Sequence, residues 1–430
     1  MTSPLPPEAV PSAPGVDAAL APAEVSRVQR RTVWVLSFGQ ILGGLAFGAT
    51  VSLGAVLAAE ISGDEAFAGL AAAAVTLGTA ALAVPLAAFA RHRGRRISLA
   101  TGMAIALLGV MLVVLAVGLA SFPLLLVAFG LVGAGQAANL QTRFAAADLA
   151  TDATRGRDLS IVVWATTIGA VLGPNLTGPG EVLGQSVGMP PLTGPYLITV
   201  VAQVLAILLY VVALRPDPLL LAQRVVAAAR ASATAIAKPD DPRVARYAIF
   251  AIAAAHGVMV SVMAMTPVHL IHHGASLSII GLTISLHIAG MFALSPVFGL
   301  LADRLGRVPT IMIGQALLAG ALVTASFGQE STVAVTVALV LLGLGWSATT
   351  VSGSTLLTEA SSEAMRTRRQ GFSDLVMSLV GAAGAILAGV VLSVIGYGGL
   401  ALAVGVAVVA TVLLSPLARP AKSATALVDG

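Results

Sequence analysis

The chain has 430 residues, 57% of them hydrophobic and only 10% charged, with a formal net charge of +4. A soluble domain carries about 25% charged residues, so an ordinary water-soluble protein is excluded, and long unbroken apolar runs exclude a β-barrel of short alternating strands. The absence of cysteine excludes disulfides, thiolate chemistry and Cys-ligated metals.

Residues 1–30 are rich in Pro, Ala and polar groups and lack the apolar centre of a signal peptide, which predicts a disordered cytoplasmic tail. Twelve apolar stretches follow, at 33–59, 67–90, 97–119, 122–146, 159–179, 195–214, 245–270, 276–302, 308–328, 331–357, 371–395 and 398–418. A helix needs roughly 20 such residues to cross a bilayer. The pattern predicts an all-α membrane protein with twelve transmembrane helices in two pseudo-symmetric six-helix bundles, 31–214 and 245–418. A cytoplasmic linker at 215–244 joins them and a cytoplasmic tail at 419–430 ends the chain. The linker middle reads either as an amphipathic helix, with Arg224 and Arg230 toward lipid head groups, or as a solvated connection.

All 23 basic residues fall in alternate gaps or at their edges, on one side of this map. Lys and Arg mark the cytoplasmic side, so both termini are expected inside. The only formal charges outside are Glu60, Asp64, Glu65, Glu181 and Glu330. The basic inner face suits anionic lipids. No basic stretch is interleaved with aromatics, so nucleic acid is not an expected partner. High Ala and the excess of Arg over Lys suggest a high-GC bacterial genome and a bacterial inner (plasma) membrane.

Polar groups inside apolar spans are costly and point to function. Gln40 lies in span 1. In span 4, Gln136, Asn139 and Arg143 share one helix face at i, i+3, i+7 spacing. Arg143 reads as a structural charge reaching inward, a holder of an anionic substrate group, or a partner of Asp148. Asn175 in span 5, Gln203, Gln315 and Trp346 read as cavity or packing residues. His256 in span 7 and His287 in span 8 lie near mid-span. An imidazole there can carry a coupling proton, touch substrate, or bond a helix carbonyl. Carboxylates are scarce in the spans, with Asp374 near the inner end of span 11. His269, His272 and His273 share one face at the outer end of span 7 but have no neighbouring carboxylate, and read as interface residues rather than a metal site. No GxxxxGK loop occurs, and the two lysines, Lys238 and Lys422, fit none, so ATP-driven transport by this chain is excluded. No catalytic order of Ser, His and Asp or HExxH pattern suggests an enzyme.

The halves repeat at an offset near 211, with Gly133 over Gly343, Gly135 over Gly345, Asp148 over Glu359 and Gly94 over Gly306. Such repeats, with substrate between the halves, are the usual build of secondary transporters.

The residues GLLADRLGR at 299–307, between spans 8 and 9, resemble the loop signature of the major facilitator superfamily: Gly299, then Asp303 and Arg304, then Gly306 and Arg307. The resemblance implies a cytoplasmic latch between the halves, in which Asp303 meets the start of span 5 and Arg307 pairs with an acid such as Glu359. The first-half copy, AAFARHRGRR, keeps Gly94 and Arg95 but has Ala87 for the Gly and Arg91 for the Asp. Arg91 is expected either to pair with Asp374 in the state closed to the cytoplasm or to serve only as an orientation charge. GAVLGPNLTGPG at 169–180 resembles the antiporter signature of drug/proton exporters in that family. Gly169, Gly173 and Pro174 match it, whereas Gly178 and Gly180 are offset and split by Pro179.

The resemblance implies a secondary transporter working by alternating access, expelling a small amphipathic compound in exchange for protons. A proton-coupled importer of a polar metabolite and a non-transporting sensor or lipid-handling protein remain open. The expected partners are a small-molecule substrate, protons and membrane lipids. The chain is expected to be a monomer without cofactor or metal.

Overall fold

The computed structural model describes residues 22–64, 67–231, 240–275 and 277–418. Glu65, Lys238, the segment before residue 22 and the tail at 419–430 lie outside the described residues. Among those described, regular structure is entirely helical.

The first half holds α1 (Pro22–Ser62), α2 (Ala68–Gly118), α3 (Phe122–Ala145), α4 (Arg155–Asn175), α5 (Thr177–Ser186) and α6 (Pro195–Ala213). The linker forms α7 (Pro218–Ala231). The second half holds α8 (Pro242–His272), α9 (Leu277–Phe292), α10 (Ser295–Leu305), α11 (Arg307–Phe327), α12 (Thr332–Glu359) and α13 (Glu363–Leu413). Among the described residues, eight helical segments are long and apolar enough to cross a membrane. Two of these carry two predicted stretches each. α2 turns at Gly94 (φ 85°, ψ 169°) and α13 turns at Gly396 (φ 72°, ψ 179°), conformations natural to glycine. The first and fifth stretches, in α1 and α4, fall outside that set.

Three boundaries differ from expectation. Helix α1 begins at Pro22, inside the predicted 1–30 tail, and Gln29 is buried there, donating to the Ala146 carbonyl and to Asp158. These tertiary partners hold a segment whose composition alone reads as unstructured. Span 8 is two helices, because α10 restarts at Ser295 with Pro296 in its first turn, where a missing N–H is tolerated. Span 5 continues as α5 beyond the predicted end.

The apolar cores follow the chain halves. One cluster draws only on α8 to α13, around Met259, Leu339 and Trp346. Two draw on the first half, around Leu36 and Tyr210 and around Phe129 and Tyr196. Smaller clusters join the halves: Phe144 packs with Val244, Tyr247 and Leu357, and Leu159 with Val351. The main inter-half seams are α2 against α13 and α4 against α10. Both are set by small residues. A Cβ on Gly371 would lie 2.4 Å from the Ala87 side chain, and one on Gly299 2.5 Å from the Gly156 carbonyl oxygen.

Candidate functional site

Polar side chains that connect the halves concentrate on the arginine-rich side. In the second half, Gly306 turns the chain at φ 101° between α10 and α11. Asp303, on the last turn of α10, reaches across to the start of α4, where its carboxylate accepts from the Gly156 and Arg157 N–H groups at 2.9 and 2.8 Å. These are free donors of a first helical turn, and negative charge is favoured there. Arg307 donates to Glu359 (2.7 Å) and to the carbonyls of Ala302 and Asp152. Glu359 also accepts from Arg155 of the first half at 3.0 Å. Arg304 is exposed.

The first half repeats half of this arrangement. Arg95, fully buried, follows the Gly94 turn and donates from Nε to Asp148 at 2.8 Å, the counterpart of Arg307 on Glu359. It also crosses the seam to Gln370 of α13 at 2.6 Å. Burial raises the Asp148 carboxyl above its ordinary value, with the Arg95 charge opposing that shift. Arg91 differs from expectation. It lies beside His92 and does not hold Asp374. Asp374 is held instead by Arg143 of α3.

That Arg143–Asp374 bridge joins the halves in the interior, with side chains 5% and 0% exposed. Arg143 also lies over the Phe144 ring, 4.8 Å from its centroid. The Arg143 Nε and Asp374 Oδ2 atoms are buried without a hydrogen-bond partner among the described residues. Asp374 and Gln370 are one helical turn apart on α13, so two first-half arginines, Arg143 and Arg95, grip one face of one helix.

The span 4 amides do not touch this bridge. Gln136 and Asn139 line a small cavity within the first half, with Gly43, Met103 and Gln203. The Asn139 and Gln203 side-chain oxygens are buried and unpartnered among the described residues. Gln40 is taken up in packing, donating to Thr166 and accepting from Thr142. His256 accepts from the Trp346 indole at 3.1 Å, which ties α8 to α12. His287 is fully buried with Nδ1 2.7 Å from the Leu339 carbonyl oxygen. Gly169 sits against Gly44 and the Ile41 carbonyl, a close crossing of α4 and α1. Gly173 is buried. Pro174 and Asn175 belong to α4, with side chains outside the described residues. Among the described residues no cluster of three or more His, Asp or Glu fits a metal ion.

The sequence match agrees with this geometry. The family model described as Major Facilitator Superfamily matches residues 36–276 and 248–429. The chain belongs to the major facilitator superfamily. It is therefore a multi-pass membrane transporter rather than an enzyme. Two Bacillus subtilis relatives are named as MFS-type transporters. YddS is 38% identical over 87% of each chain. YdeG is 36% identical over 90% of this chain and 91% of its own. The riboflavin transporter RfnT of Brucella anthropi is 29% identical over 81% of this chain and 85% of its own. Among solved structures, the human organic anion transporter MFSD10 matches with a TM-score of 0.71 at 17% identity, covering 91% of this chain and 99% of that one. The transporter FucP in its outward conformation matches at 0.63 and 15% identity, over 90% and 99%. These distant structures share the fold.

Within this major facilitator chain, four members of the inner network escaped sequence reasoning. Gln370 is a neutral residue in a polar helix start and carries no signal by itself. Asp217, which accepts from the Arg96 N–H, and Asp240, which pairs with Arg369, sit in the linker, where acids read as solvated. Arg155 was visible as an inner basic charge repeated at Arg366, but not as a residue that crosses to Glu359. The one available clue was the departure at Arg91, which left a vacancy for some other group to fill.

Proposed function

We propose that the chain is a proton-coupled secondary transporter that exports a small amphipathic compound by alternating access. In this reading twelve transmembrane helices form two rocking bundles in a bacterial inner membrane, with both termini cytoplasmic, and the chain acts as a monomer. The observation that carries it is the buried Arg143–Asp374 bridge between the halves. A buried ion pair is held by mutual charge, and removing one charge leaves the other costly to bury. Protonating Asp374 would do this, releasing Arg143 and the inner seam together. Asp374 then replaces His287 as the coupling group, because His287 is committed to a carbonyl inside one half. His256, beside the bridge-bearing α13 and bonded to Trp346, remains on the path. Asp303, Arg307, Glu359, Arg95 and Gln370 hold the side facing the cytoplasm shut. The Gly169–Gly44 crossing supports the antiporter-like reading of span 5.

A second reading is transport of a polar metabolite. It is favoured by the unpartnered amides of Asn139 and Gln203 and by the relative named as a riboflavin transporter. One experiment separates them. Purified protein in proteoliposomes is given an imposed proton gradient and a panel of amphipathic and flavin-like compounds. Export predicts cargo movement opposite to protons. Cargo moving with protons selects the second reading, and an absence of proton-linked flux across the panel overturns both.

A further inference from the structure

We propose that Asp217, in the central linker, is a positioning residue for the first-half latch; this rests on the alternating-access reading above. The first-half loop lacks the acid that its second-half counterpart carries, since Arg91 stands where Asp303 would be. What the loop keeps is a turn at Gly94 followed at once by Arg95. Arg95 makes the contacts that matter, to Asp148 within its own half and to Gln370 across the seam. Its direction depends on the backbone of that turn.

Asp217 holds the turn. Its Oδ2 accepts from the Arg96 N–H at 2.7 Å. Its Oδ1 accepts from the Leu219 and Leu220 N–H groups at 3.0 and 3.1 Å, capping α7. One carboxylate therefore splints two helix starts, and both sets of donors are free first-turn amides that favour negative charge. The fit is tight, because a Cβ on Gly94 would lie 2.3 Å from Asp217 Oδ2. The linker is fixed in place behind it by Leu219 and Leu221, which are 3% and 7% exposed.

The second half shows why only one latch needs this. Around the matching Gly306 turn, a Cβ would meet nothing nearer than the Pro309 ring at 3.6 Å. There the loop's own Asp303 already secures the seam. In the first half, the linker supplies the carboxylate that the loop lost, though to a different end: it aims Arg95 rather than bridging the seam itself. The position of α7 is thereby coupled to the closure of the cytoplasmic side.

The test uses the absence of native cysteine. Spin labels at R93C and A364C, both exposed on the inner side, report the inner opening in the full chain in lipid nanodiscs. D217S keeps a good cap for α7 but cannot reach Arg96. It should raise the ratio of open to closed distances at least roughly tenfold, as expected for one charge-assisted bond. R95A should shift it the same way, and D217E should restore part of the closed population. G94A, which both strains the positive-φ turn and crowds the carboxylate, should shift the ratio in the same direction as R95A. A D217S distribution equal to that of the parent, with R95A shifted, overturns the positioning role and leaves alternating access standing. Labels that stay fixed in every variant and at every pH overturn both.

Discussion

Arg95 and Arg307 are structural counterparts: each follows a positive-φ glycine and each grips a carboxylate at the inner end of the helix pair it serves, Asp148 and Glu359 respectively. The two loops nevertheless differ in how they cross the seam. Arg307 works beside Asp303, which binds backbone amides of α4. Arg95 crosses by itself, to a neutral glutamine.

The central bridge gives the sharpest prediction. D374N leaves Arg143 buried beside a neutral group, a change that costs about 3–5 kcal/mol in a closed interior. The closed state should lose population and transport should fall to background. R143A should do the same. Charge reversal of both residues together should recover closure, read from the inner-side spin-label distances, whereas no recovery would show that the pair does not set it.

Close packing at the second seam predicts a graded effect. G299A places a Cβ 2.2 Å from the Ser160 hydroxyl oxygen and 2.5 Å from the Gly156 carbonyl oxygen. The inner side should no longer shut, and transport should fall at least tenfold. Adding S160A relieves only one of the two collisions, so recovery should be partial. Full recovery would mean that the backbone contact yields freely.

The linker end at Asp240 gives a pH prediction. Slight burial acts to raise its carboxyl, but hydrogen bonds from Arg369 and the Ser362 N–H outweigh this and hold it below the ordinary carboxylate value of 3.8. A depressed native value contributes stability that is complete above the unfolded value and lost as pH falls through the folded one. The gap in melting temperature between the parent and D240N should thus be constant above about pH 5 and close below pH 3.8. A gap that persists at the acid end would contradict the pairing.

The two mid-span histidines should separate. H287Q keeps a donor for the Leu339 carbonyl, so it should lower melting temperature modestly and leave the ratio of protons to cargo unchanged. H256F removes the acceptor of the Trp346 indole where α8 packs on α13 and should cut transport while the fold survives. Equal loss of coupling in both variants would return His287 to the proton path.

The twelve hydrophobic stretches were legible because crossing a bilayer demands long apolar runs, and the contacts of Asp303 were legible because a glycine-bounded loop with fixed charges leaves a pattern in sequence. The partner of Asp374 was not. Loop spacing pointed to Arg91, yet Arg143, nominally a charge at the end of span 4, lies on the face that meets α13. Helix rotation and tilt decide that, and neither is written in hydropathy. Gln370 and Asp217 were hidden for another reason: their importance comes from the backbone turn they meet, which no residue type announces.

The backbone nature of the Asp303 contact has a genetic consequence. Its acceptors are served by the amides of residues 156 and 157, which every residue except proline supplies. No side chain at those sites can stand in for a lost Asp303, although one at Gly156 would crowd the contact, since a Cβ there would lie 2.7 Å from Asp303 Oδ1. Revertants of a defect there must arise elsewhere in the seam, whereas a defect in Arg143 or Asp374 can be answered by its partner. The two crossings are thus exposed to mutation in unequal ways, one repairable only from elsewhere in the seam and the other from its own partner.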